Sequence, residues 1–97
     1  MDTYQVTIIT GINGLLPSTA TGRVLALLDV SGLAATITRG TGHHPDWDAE
    51  PVLIITAFAT EQNPPLVYAD LARALRDEFE QDCVLYHATP VAPFELI

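Results

Sequence analysis

The fold is decided by the longest apolar run in the chain, Pro51-Val52-Leu53-Ile54-Ile55-Thr56-Ala57-Phe58-Ala59-Thr60. Such a run, bounded by prolines on both sides, is typical of a strand that is buried on both faces of a sheet. Because it lies near the middle of the chain, we expect the other elements to pair with it or pack on it. The polar segment before it, residues 40–50, is predicted to be a long loop.

Hydrophobic periodicity and the positions of Gly and Pro predict five further elements. These are strands over residues 4–10, 33–39 and 82–88, and helices that begin at residues 17 and 64. Gly32 is a natural stop for the first helix, Asn63 is predicted to cap the second, and Pro90 to end the last strand. The order is β-α-β-β-α-β, which predicts an α+β ferredoxin-like fold over residues 1–97 as one domain. This fold has a four-stranded antiparallel sheet with two helices on one face and strands 1 and 3 at its centre.

The other face of such a sheet is open, and the sequence makes it apolar. Side chains alternate along a strand, so one apolar row of the 51–60 run lies on the open face in either register. Tyr86 or His87 joins this row. An exposed apolar face favours a homodimer or another bound partner, and the alternative cover is the tail at residues 94–97 or the loop with Trp47.

Composition bounds the partners of the chain. Among 97 residues there are twelve acidic side chains, four Arg and no Lys, so the net charge is −8. Such a surface repels nucleic acid and anionic membranes and attracts basic proteins. No apolar run reaches the roughly 20 residues of a membrane span. The N-terminus has no signal-peptide pattern and Cys83 is the lone cysteine, which together predict a cytoplasmic protein.

The chain contains residue types that can bind metals or catalyse reactions, but they do not have the spacing of a known metal or catalytic motif. His43 and His44 precede three carboxylates in the 40–50 segment, without the spacing of a metal motif, so we predict no metal and no cofactor. Cys83 is predicted to be a small buried core residue, and it would lie about 13 Å from His87 along a strand. We therefore predict that the chain is not an enzyme and has no catalytic residue. A small enzyme that uses His87 or His44 is the third interpretation.

Acidic side chains cluster in two segments, one in the 40–50 loop and one at the end of the second helix. The second cluster is unfavourable for the helix dipole, which suggests that its charge is used. Trp47 is a candidate anchor, because Trp is enriched at interface hot spots. The predicted partner-binding residues are Asp46, Trp47, Asp48, Glu50, Asp77, Glu78, Glu80 and Asp82.

Three segments carry a family resemblance: Trp47-x-x-Glu50 before an apolar strand, Leu71-Ala72-x-x-Leu75, and Phe79-x-Gln81-x-x-Val84-Leu85. They resemble small phage and mobile-element proteins, which implies a ferredoxin-like fold. In size, acidity and lack of catalytic residues the chain is also similar to anti-CRISPR proteins, although no motif assigns functional residues.

The leading hypothesis is therefore an acidic, non-catalytic inhibitor that binds a basic surface of a host nucleic-acid-handling complex, such as a CRISPR effector. Its binding would weaken as salt rises. The alternative is a dimeric small-molecule or metal-binding protein that uses residues 43–50.

Overall fold

The computed structural model describes residues 3–92 and residue 97, and it describes only the backbone of His44 and Trp47. Its elements are β1 (Thr3–Gly11), α1 (Pro17–Ser31), β2 (Thr36–His44), β3 (Trp47–Ala59), α2 (Pro65–Glu78) and β4 (Leu85–Val91). The strands form one antiparallel sheet in the order β2-β3-β1-β4. The fold is therefore the predicted α+β ferredoxin-like fold, with β1 and β3 at the centre of the sheet.

One face of the sheet forms the hydrophobic core with both helices. Val6 and Ile8 of β1 are paired with Ala57 and Ile55 of β3, and all four side chains are buried. The helices add buried side chains to the same cluster, namely Ala20, Val24 and Leu28 of α1, and Tyr68, Leu71, Ala72 and Leu75 of α2. The predicted placement of both helices on one face of the sheet is thus confirmed.

Beyond Val52, the opposite face of β3 is not buried, contrary to the prediction for the apolar run. Ile54 and Thr56 are half-buried on this face and Phe58 is 49% exposed. The register places His87 of β4 on this face, and Tyr86 lies on the core face.

We call this surface the open face: outward residues 5–11 of β1, 36–40 of β2, 52–58 of β3 and 85–89 of β4. Two alternative covers were predicted for it, the tail at residues 94–97 and the loop with Trp47. Residues 94–96 and the Trp47 side chain lie outside the described part of the structure.

The segment 40–50 is not a loop. β2 continues to His44 and β3 begins at Trp47, with an irregularity in the pairing between Gly42 and His44. β1 stops pairing at Gly11, opposite Val52, so residues 41–51 form a two-stranded arm that extends beyond the end of β1. Hydrophobic periodicity did not predict this arm. An exposed hairpin is held by backbone hydrogen bonds and does not need a row of apolar side chains.

Three predicted boundaries are wrong for local reasons. β2 starts at Thr36, after a stretch in which Leu33 is buried and its N–H bonds the Leu28 carbonyl. α2 is preceded by Pro64 and has no side-chain cap, so Asn63 does not cap it. Pro90 lies inside β4 and does not end it, because β4 is an edge strand that tolerates a missing N–H. Neither described helix is long and apolar enough to cross a membrane.

Candidate ligand-binding site

A cleft of about 440 Å³ lies where β3 ends and α2 is about to begin. Its walls are the connection from α1 to β2, the last residues of β3 and the loop before α2. Gly32 ends α1 in the left-handed conformation, with φ of 66°, and turns the chain toward β2. Small side chains at Ala34, Ala35 and Ala57 leave the space open. We call this cavity the end cleft.

The end cleft combines aromatic and neutral polar groups. Thr36 of β2 and Thr56 of β3 are paired in the register and lie side by side on the same face of the sheet, and Phe58 follows on that face of β3. Asn63 also lines the cleft, and its backbone carbonyl accepts a hydrogen bond from the Thr60 N–H over 3.1 Å. None of the described lining residues is charged. An apolar pocket of this size with a few polar groups is typical of a small-molecule site.

Tyr68 of α2 holds one wall of the end cleft in place. Its ring is buried, and its hydroxyl donates a 3.1 Å hydrogen bond to the Ala34 carbonyl. Burial raises the pKa of the Tyr68 hydroxyl, so it remains protonated at neutral pH and keeps donating. This bond joins α2 to the α1–β2 connection, so it sets the width of the cleft.

A second, smaller cavity of about 200 Å³ lies between α2 and β4. Arg73 and Arg76 line it, but Arg73 pairs with Asp70 at 2.8 Å and Arg76 lies 3.6 Å from Asp77. Cys83 also lines it and is exposed, so the prediction of a buried core cysteine is wrong. The reason is that β4 begins at residue 85, which leaves Cys83 in the connection before the strand.

The structure brings the two predicted acidic clusters to the same end of the sheet, opposite the end cleft. Asp46, Asp48 and Glu50 are exposed on the arm, which extends past the end of β1. The other four acidic residues are exposed where α2 ends and leads into β4, beside the β1–α1 turn. Glu80 there has a left-handed φ of 51° and accepts a 3.1 Å hydrogen bond from the Asn13 amide.

The histidines do not assemble a site in the described residues. His87 is exposed on the open face, 3.1 Å from the Thr89 hydroxyl, and lines neither cavity. His43 is exposed on the arm, and the His44 side chain is not described. Across the described residues, no group of three or more His, Cys, Asp or Glu side chains is placed to hold a metal ion.

Sequence reasoning missed the end cleft. Its lining is made of small neutral residues from three separate segments, and Ala, Thr and Phe have no chemical signature of their own. The available signal was the run of small residues after Gly32, which leaves the helix-to-strand connection without bulky side chains. That signal becomes a cavity only when the β2–β3 register places Thr36 opposite Thr56.

Comparison with models of known protein families and with curated proteins gives no match. Solved structures do share the fold. A phage SAM lyase in complex with S-methyl-5′-thioadenosine aligns with a TM-score of 0.69 at 15% identity, over 91% of this chain and 81% of that one. CPII also aligns, with a TM-score of 0.55 at 21% identity, over 100% of this chain and 98% of that one. CPII is a nitrogen regulatory PII-like protein from Thiomonas intermedia K12, and its structure is bound to ADP, AMP and bicarbonate.

A putative PII-like signalling protein from Thermus thermophilus also aligns, with a TM-score of 0.55 at 19% identity, over 94% of this chain and 88% of that one. At these identities the likeness concerns the fold. The chain is thus a small ferredoxin-like module whose architecture occurs in a phage protein and in PII-like proteins.

The likeness to a lyase corrects the prediction that the chain is not an enzyme, which is wrong. That prediction inferred the absence of catalysis from the absence of a catalytic motif. Because this architecture serves an enzyme, the missing motif does not exclude a reaction. The PII-like structures, described as regulatory or signalling proteins, give this correction no further support.

Proposed function

We propose that the chain binds a small molecule with an adenosine group in the end cleft. The observation that carries this proposal is an uncharged cleft of about 440 Å³ with Phe58 and several hydroxyl and amide groups on its walls. An adenine ring stacks on aromatic side chains, and a ribose presents hydroxyls that Thr36, Thr56 and Asn63 can bond. Two of the aligned structures, the SAM lyase and CPII, hold adenosine-containing molecules, which supports the choice of ligand.

Electrostatics selects among adenosine compounds. The chain has a net charge of −8 and the described lining of the end cleft has no Arg, so the multiple charges of a nucleotide phosphate would be repelled and unpaired. S-adenosylmethionine has a net positive charge, and S-methyl-5′-thioadenosine is neutral. We therefore expect the sulfur-containing nucleosides to bind more tightly than AMP or ADP.

The test is a calorimetric titration of the purified chain with S-adenosylmethionine, S-methyl-5′-thioadenosine, AMP and ADP at low and high salt. S-adenosylmethionine is expected to bind at least about tenfold more tightly than AMP at low salt, because charge attraction is then least screened. The difference is expected to shrink as salt rises. Absence of binding for all four compounds at about 1 mM, the weak end of specific recognition, would refute the proposal.

Cleavage of bound S-adenosylmethionine is a second candidate, favoured by the alignment with the lyase. In such a cleavage the substrate's own carboxylate oxygen forms a bond to the γ carbon of the methionine part while the bond from that carbon to sulfur breaks. The electron pair of the broken bond returns to the positive sulfur, so the products are S-methyl-5′-thioadenosine and the lactone of the amino acid part. The described lining contains no carboxylate, His or Cys, so the cleft would act by positioning and by excluding water. Chromatography that resolves substrate from thioadenosine over time decides between binding alone and turnover.

The acidic inhibitor remains a separate hypothesis, resting on the acidic residues of the arm and of the end of α2. The support for this hypothesis is that these residues lie at one end of the molecule. The negative potentials of several exposed carboxylates add there and would attract one basic partner. A basic partner such as a CRISPR effector would bind there, and its affinity would fall with salt. If the affinity for the basic partner does not change between low and high salt, this hypothesis is wrong. That result would not affect the proposal of a ligand in the end cleft.

A further inference from the structure

We propose that the open face is a self-association surface, covered by the open face of a second copy of this chain. The inference goes beyond the ligand proposed above and is argued from other residues. The two surfaces share Thr36, Thr56 and Phe58, so a second copy would border the end cleft. The first observation is charge. No residue of the open face is Asp, Glu, Lys or Arg, although the chain has twelve acidic and four basic side chains. Glu50, the next outward residue of β3, lies beyond this surface on the arm. Charged residues normally cover solvent-facing surfaces, so their exclusion from the four-stranded part of this face marks it for burial.

The second observation is an apolar row that crosses three strands. The registers align Leu85 of β4 with Ile9 of β1, and Ile9 with Ile54 of β3. Leu85 is 51% exposed, and the other two are half-buried. Beside this row a Cβ at Gly40 of β2 would lie 3.1 Å from the Ile54 Cδ1 atom, so the glycine lets Ile54 lie close over β2. The row is therefore continuous and projects little above the sheet, as face-to-face packing of two sheets requires.

Net charge identifies the occupant as a second copy. Copies with a charge of −8 repel each other, and a face without carboxylates is where they can meet without placing like charges in contact. A basic protein would be drawn to the acidic end, and a nucleic acid would find no cation on this face. Four strands about 4.8 Å apart and about 20 Å long on average cover roughly 400 Å² before side-chain relief is added. This flat area is about half of the roughly 800 Å² that each partner of a standard interface buries, and side-chain relief brings it closer to that value.

The experiment uses the full chain and two matched leucine variants. Light scattering after size-exclusion chromatography is expected to give the wild type at least twice the chain mass of 10.5 kDa. Leu85→Glu places a carboxylate in the apolar row and is expected to weaken association by about tenfold or more, because the buried charge has no partner. Leu66→Glu is the control, since Leu66 is 68% exposed on α2, away from the open face.

Salt dependence is the second measurement and needs no variant. Higher salt screens the repulsion between acidic copies, so association is expected to strengthen as salt rises. A monomeric wild type, or an oligomer that Leu85→Glu leaves intact while circular dichroism reports a folded chain, would overturn the proposal. An oligomer that dissociates as salt rises would do the same, since it would rest on charge pairs that the open face lacks.

Discussion

Replacing Ile55 by alanine is expected to lower the free energy of unfolding by about 3 to 4 kcal/mol, the largest stability change among the variants considered. Ile55 is fully buried on the core face of β3, paired with Ile8 of β1 and Ile37 of β2. The substitution removes buried carbon atoms and leaves a cavity between the sheet and the helices, where the close-packed core collapses only partly. In a chain of this length such a loss lowers the melting temperature by about 15 to 20 °C.

Ile54 supplies a matched control for this variant. It is the preceding residue of the same strand, has the same side chain, and lies half-buried on the open face. Ile54→Ala is expected to cost about 1 kcal/mol, because much of its side chain already contacts water in a single chain. Chemical denaturation of both variants at low protein concentration measures the difference. Equal losses would mean that both faces of β3 are buried in the single chain, which would contradict the assignment of core and open faces.

The outcome at these two isoleucines also shows where sequence reasoning succeeds. The apolar run established a central strand and, with two helical patterns, the ferredoxin-like topology. It could not establish which face would be covered, because both alternating rows of the run are apolar. The difference comes from the helices: the buried faces around Val24 and Leu71 pack on the row of Ile55, whereas Ile54 is left half-buried and Phe58 exposed.

The arm and the end cleft lay beyond sequence reasoning for different reasons. The arm forms through backbone pairing of polar residues such as Thr41 and Glu50, which hydrophobic periodicity does not detect. The end cleft is a space, and it exists because Ala35 and Ala57 are small where three segments meet. Acidic and histidine residues drew attention to the arm because they have reactive groups. The cavity that fits a ligand lies at the opposite end of the sheet.

Filling the end cleft is expected to have the largest effect on ligand binding. Thr36→Trp places a large ring on the wall of the cleft, directly beside Thr56. The expected result is a loss of affinity for S-adenosylmethionine of about 100-fold, which corresponds to about 2.7 kcal/mol. The physical reason is that a ligand of this size needs most of the cleft volume, so the Trp ring and the adenine cannot both occupy it. Calorimetric titration of wild type and variant measures the change.

Thr38→Trp controls for the substitution itself. Thr38 is the next outward residue of β2, is exposed like Thr36, and lies outside the described lining of the end cleft. Trp is favoured in strands, so both variants should fold, and their melting temperatures should agree within a few degrees. Affinity is expected to fall for Thr36→Trp alone. An equal loss of affinity for both variants would place the ligand elsewhere on the open face. If neither variant loses affinity, the ligand does not bind in the end cleft. The comparison of Thr36→Trp with Thr38→Trp, two variants of one edge strand, therefore tests whether the adenosine group binds in the end cleft.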